Sequence, residues 1–190
     1  MSAVHAALVD RIGETAYVYE RAYHGCSQCV LGALQDCLQL GSRDSFKAAS
    51  GLAGGIARMG STCGALVGGV MGIGLAFGRE VLEESTTSQG YGRAMELGGE
   101  LCRRFEKEFG STECRDIQRS FFGRSFDMRD SQEREEFRKA DGYEKGSQLA
   151  RRAAELAAEV ILDGGYEPRS EARLEASRVR DPKIVERTIY

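Results

Sequence analysis

Apolar residues recur near the start of the chain as Leu8, Ile12, Ala16, Tyr19 and Tyr23, a stripe that predicts an amphipathic helix over 4–23. Gly25 interrupts it. A second helix is expected from about Cys26 to Leu40, with Val30, Ala33, Leu34, Cys37 and Leu38 on one side and Gly41 ending it. A short helix over 44–52 follows. In the next segment Gly60, Gly64, Gly68 and Gly72 fall at steps of four, so on a helix they stack into one face without side chains. Each such glycine costs roughly 1 kcal/mol of helix propensity against alanine, an expense offset only by very close approach of a backbone or a ligand. This helix is therefore expected at the centre of a bundle.

Tyr91, Met95, Gly98, Cys102, Phe105 and Phe109 form another helical stripe, ending at Gly110. The mixed stretch 116–142 predicts short helices, an aromatic loop at Phe121, Phe122 and Phe126, and a charged helix over 131–140. From Ser147 onward, Leu149, Ala153, Leu156, Ala157, Val160 and Ile161 line the apolar face of a strong helix that Gly164-Gly165 stops. No alternating strand pattern occurs. The expected class is all-α: a compact bundle of about five to seven helices with a glycine-rich central helix. The helical cysteine-motif domain is expected over 1–165. The charged segment 166–190 reads as an extended tail that wraps the domain or a second copy of the chain, a homodimer in the latter case.

Composition agrees with this class, since both prolines, Pro168 and Pro182, lie near the C-terminus and leave the preceding chain free of the strongest helix breaker. A formal charge of −3 with both signs interspersed supplies no basic field for nucleic acid. The uncharged run 59–78 is long enough to span a bilayer, but seven of its residues are glycine, which favours a buried helix over a membrane span. The start "MSAVHAALVDRIGE" has no basic leader or long apolar run, so six cysteines are expected in a reducing, cytoplasmic setting.

The cysteines change the picture most. "Gly60-Ser61-Thr62-Cys63" and "Gly110-Ser111-Thr112-Glu113-Cys114" are two versions of one device: a glycine, a Ser or Thr expected to cap a helix, then a cysteine in its first turn. Cys26 follows Gly25 in the same way, with Cys29 one turn later. Helix starts favour negative charge, so these thiols are expected to ionise below the usual ~8.5, with Arg115 helping to hold a thiolate. Cys37 and Cys102 sit mid-helix on apolar stripes and read as core packing. Covalent haem attachment is excluded because Val30 occupies the position that histidine takes after Cys-x-x-Cys. A four-thiolate zinc site would show a second close pair of cysteines, which is absent, so such a metal site depends on Cys26, Cys29, Cys63 and Cys114 converging in space.

The ordered combination "CSQCVLGAL", "GLAGGIARMGSTCGALVGGVMGIGL" and "FEKEFGSTECRDI" resembles the redox-active family named for its Cys…CGAxxG…Cys…Cys signature. The CGAxxG element is Cys63-Gly64-Ala65-Leu66-Val67-Gly68, the flanking family cysteines map onto Cys26 and Cys114, and the resemblance covers about 19–162. It implies a helical protein of poorly defined activity working by cysteine redox chemistry. A related domain accompanies the haems of split-Soret cytochromes, where an iron–sulfur centre is assigned. The chain departs from the pattern twice. Gly146-Ser147 stands where the fourth family cysteine would open the last helix, Ser147 keeping a capping role, and Cys29 stands where the pattern has a small apolar residue.

Three functions follow. In a thiol redox protein, Cys63 is the candidate attacking thiol, Cys26, Cys29 and Cys114 are its candidate partners, and the redox partner is unidentified. An iron–sulfur electron carrier would use Cys26, Cys29, Cys63 and Cys114 as ligands, so the cofactor is either none or such a cluster. In an interaction module, the glycine ridge would dock another helix or an identical chain. Hydrolase chemistry is excluded by the lack of a GxSxG elbow, an HExxH helix or a Walker loop, and by having only two histidines, His5 and His24.

Overall fold

These periodicities become eight α-helices in the computed structural model of the protein, which describes residues 3–168. The helices are α1 Ala3–Tyr23, α2 Cys26–Leu38, α3 Arg43–Ala48, α4 Gly64–Phe77, α5 Gln89–Phe109, α6 Cys114–Phe122, α7 Ser131–Lys139 and α8 Gly142–Asp163, with a 3-10 turn over Ala49–Leu52 after α3. The count is one above the expected range, and Phe121 and Phe122 stand on α6 and not in the expected aromatic loop. The class is all-α, as the patterning predicts.

α4 is the hub, contacting α2, α5 and α8, while α1 lies along α8 and α2. Val30, Leu34, Leu66, Ile73, Leu101, Phe105 and Ile161 are fully or almost fully buried where these helices meet. Burying a side chain of this size stabilises the fold by roughly 2 kcal/mol.

The glycine face of α4 is used up by α2. A Cβ on Gly68 would overlap the Ser27 carbonyl oxygen, one on Gly64 would stand 2.7 Å from Cys26 Sγ, and one on Gly72 would meet Leu34. The close approach anticipated from the ridge is therefore helix-to-helix contact within the chain, and it presses Cys26 against the start of α4. Gly60 does not belong to the ridge. It lies before the helix at φ 74°.

Several boundaries differ from expectation. α2 ends at Leu38, with Gln39 rather than Gly41 taking the left-handed cap conformation at φ 56°. α8 begins at Gly142, a turn before Ser147, behind Asp141 at φ 61°. Ser147 consequently caps nothing: it is fully buried, and its hydroxyl donates to the Tyr143 carbonyl at 2.8 Å. Only 64–77 of the uncharged run is helical, and no helix among the described residues is long and apolar enough to cross a membrane. Tyr166 secures the end of the described chain by donating its hydroxyl to Leu38 O at 3.0 Å. Most of the expected tail, including any wrapping it performs, lies outside the described residues.

Candidate functional site

The two Gly-Ser-Thr segments pair with each other. Thr62 and Glu113 form an isolated antiparallel bridge, flanked by Cys63 N–H donating to Thr112 O at 2.8 Å and Cys114 N–H donating to Ser61 O at 2.8 Å. Successive residues of an extended segment point to opposite sides, so Cys63 and Cys114 share the face away from Thr62 and Glu113. Immediately beyond the bridge, Cys63 becomes the N-cap of α4 and Cys114 the first residue of α6. The caps are thus Cys63 and Glu113 rather than serine or threonine. The hydroxyls serve the bridge instead: Ser111 Oγ accepts from Glu113 N–H at 3.0 Å, and Thr62 Oγ1 donates to Glu113 Oε1 at 3.3 Å. Arg115 also belongs to this clamp, its guanidinium donating to Gly60 O at 2.9 Å and Met59 O at 3.3 Å, while its charge favours the Cys114 thiolate by less than burial opposes it.

Leading into the bridge is a run of left-handed backbone, with Gly54, Gly55, Ile56, Ala57 and Arg58 at φ 67°, 72°, 55°, 50° and 63°. Each non-glycine residue there costs about 1–2 kcal/mol. Compensating bonds run from Ala57 N–H to Gly51 O at 2.8 Å and from Ser61 N–H to Gly55 O at 3.0 Å. The coil turns Gly54 N–H toward Cys26 and sets Arg58 on the wall of a cavity.

That cavity, about 230 Å³, is lined by Cys26, Cys63 and Cys114, brought from the starts of α2, α4 and α6. Cys29 is not in its wall. It lies one turn deeper, 4% exposed, with its thiol donating to His24 O at 3.6 Å and Glu20 nearby. Cys63 is only 3% exposed, whereas Cys26 and Cys114 are half-buried. No two cysteines are joined: all six are free thiols. As expected, Cys37 is buried in the core and Cys102 packs against it.

Burial reverses the expected ionisation. It pushes the Cys63 thiol up to about 12, reinforced by the charge of Cys114 and opposed by the Leu66 and Ala65 amides of the first turn. Cys114 is likewise pushed up to about 12 by burial, then by Cys26 and Glu113. Cys26 is raised further by burial, Cys63 and Glu20, and Cys29 by burial and Glu20. The helix starts do favour thiolate, but they are outweighed because water is largely excluded.

Glu20, on α1, completes the polar floor. Its residue is 8% exposed, its Oε2 has no hydrogen-bond partner, and burial raises its carboxyl to about 7. Aromatic rings enclose the other side. Phe121, Phe137 and Tyr143 line the cavity, Phe137 packs edge-on against Tyr143 at 5.3 Å, and His24 stacks on Tyr143 at 4.2 Å.

Among the described residues, no three His, Cys, Asp or Glu side chains are grouped to hold one metal ion. The four-sulfur ligand set is not assembled, since Cys29 lies off the cavity. At the position of the fourth family cysteine, Gly146 lines the cavity while Ser147 turns its hydroxyl into its own helix.

The family described as "Putative redox-active protein (C_GCAxxG_C_C)" matches residues 24–160, well over half of the chain. The chain belongs to this family. The match runs from the turn before Cys26 to the last turns of α8, so it contains every cysteine of the cavity. No curated protein and no solved structure matches the chain.

Glu20 was not singled out from the sequence, although a signal existed. It continues the i+4 row Leu8, Ile12, Ala16, placing a carboxylate on a buried stripe. The aromatic wall carried no comparable signal, because its rings come from three helices whose mutual placement the sequence does not display.

Proposed function

We propose that the protein is a cysteine-based redox protein that reduces a substrate disulfide with Cys114 and Cys63, Cys26 being the third thiol of the site and Cys29 a deeper reserve. The observation that carries this reading is the convergence of three unjoined thiols, from three helix starts, on one cavity. Cys114 is the more accessible sulfur and meets the substrate first; the deeply buried Cys63 resolves.

The chemistry balances as follows. Cys114 loses its proton and attacks one sulfur of a substrate disulfide, forming a mixed disulfide and releasing half of the substrate as thiolate. Cys63 then attacks Cys114 Sγ, forming the Cys63–Cys114 disulfide and releasing the second half. Two electrons pass from the dithiol to the substrate, and a thiol reductant is needed to reset the site. The protons of Cys114 and Cys63 pass to the two released substrate thiolates, which leave as thiols.

The iron–sulfur alternative finds no three-ligand grouping to support it, and the interaction-module reading loses its docking face because α2 already covers the glycine ridge. Free-thiol counts across dithiol buffers poised between roughly −350 and −150 mV test the proposal. It predicts a reversible loss of two thiols in the full chain. No loss anywhere in that range rejects it.

A further inference from the structure

The walls of the cavity carry two cations that the thiol chemistry above does not use. Arg58, at the end of the left-handed coil, and Arg134, on α7, both line it, and among the described residues neither is paired with a carboxylate. Arg134 donates only to carbonyls, Met128 O at 3.1 Å and Arg129 O at 2.8 Å. The acids nearby are already engaged: Glu133 pairs with Arg124, Asp127 with Arg129 at 2.8 Å, Asp116 with Arg119 at 2.8 Å, and Asp130 caps α7. Among the described residues, then, two cations without a carboxylate partner stand over a pocket whose other walls are thiol, aromatic and aliphatic carbon, with Glu20, His24 and Gln118 as further polar groups.

From this arrangement, and resting on the thiol-redox reading, we infer that the substrate is a small anionic disulfide with an apolar or aromatic body, its negative group held by Arg58 and Arg134 while its sulfur meets Cys114. Size supports the first part. A cavity of about 230 Å³ with Cys63 only 3% exposed admits a compact molecule and not a folded protein's disulfide loop. Chemistry supports the second. Phe121, Phe137 and Tyr143 offer ring faces and edges to an apolar body, and guanidinium groups bind carboxylates in a paired geometry. The other titratable groups facing the cavity are Glu20, Tyr143 and His24, and burial raises the Glu20 carboxyl, which holds it protonated below about pH 7.

The reduced full-length protein can be reacted with three disulfide probes of different charge: dithiobis(nitrobenzoate), an aromatic dianion; dithiodipyridine, aromatic and uncharged near neutrality; and cystamine, a dication. Each rate is divided by the rate of the same probe with a small free thiol. The inference predicts the highest ratio for the dianion and the lowest for the dication, by about tenfold at low salt, with the difference shrinking as salt screens the charges. Arg58→Gln lowers the dianion ratio and leaves the dipyridine ratio unchanged, while Arg58→Lys keeps most of the effect; Arg134→Gln gives an independent second reading. Equal ratios for the three probes, or a loss in Arg58→Gln common to all of them, overturns the anion preference while leaving thiol chemistry intact. Failure of every probe to modify Cys26, Cys63 or Cys114 overturns the thiol reading, and this inference with it.

Discussion

Thr62 and Glu113, 51 positions apart, face each other across a single bridge, and that pairing sets the mutual position of Cys63 and Cys114. Gly60 turns the chain into the bridge at φ 74°, where a Cβ would stand 3.3 Å from Arg115 Cβ. Gly60→Ala is expected to cost about 1–2 kcal/mol in urea unfolding and to slow closure of the Cys63–Cys114 disulfide. Unchanged stability and closure rate would show that the bridge does not govern the pair.

Glu20 makes stability depend on pH with a definite sign. Its carboxyl titrates at about 7 in the fold against an ordinary 4.5, so the folded chain holds that proton more tightly than the unfolded chain. Its contribution is complete below about 4.5 and is lost as pH rises through about 7, a swing of roughly 3 kcal/mol. Glu20→Gln removes the swing. The unfolding free energies of the two proteins are expected to diverge between about pH 5 and 8, with the variant gaining relative to the native chain. Parallel profiles would contradict the buried carboxyl.

Ala57 sits at φ 50° in the left-handed coil and does not line the cavity. Ala57→Gly relieves a conformation costly to any residue with a Cβ, and about 1 kcal/mol of added stability is expected by denaturant titration. A loss of stability would show that the coil is not strained at this position.

Gly146 marks where a fourth sulfur would enter. It lines the cavity, and a Cβ there meets nothing within 4 Å. Gly146→Cys is expected to fold at least as stably as the native chain, since glycine is a poor residue inside α8, and to form mixed pairs with the cavity thiols on oxidation. Ser147→Cys, buried toward Tyr143 O, is expected to form none. Peptide mass mapping separates the two outcomes, and pairing by Ser147→Cys instead of Gly146→Cys would reverse the assignment.

The helices were legible because their apolar residues recur at steps of three and four, and Gly64, Gly68 and Gly72 announced a close contact before its partner was known. Cys26, Cys63 and Cys114 stood out together because each comes one to four residues after a glycine near a helix start, and all three line one cavity. Ionisation was not legible. A helix start is a local property readable from spacing, whereas the burial that raises Cys63 and Cys114 depends on which distant rings and helices close over them. The same limit hid the raised ionisation of Glu20, though not its place on a buried stripe, and the start of α8 was misplaced because Asp141 at φ 61° opens that helix without a serine or threonine cap.

The most direct test is to trap the pairing itself: partial oxidation in a thiol–disulfide buffer, rapid alkylation, and mass mapping of the joined peptides. A Cys63–Cys114 link that disappears on reduction and re-forms on oxidation is the predicted result. Links confined to Cys37 or Cys102, or no reversible link among Cys26, Cys63 and Cys114, would contradict the shared thiol site.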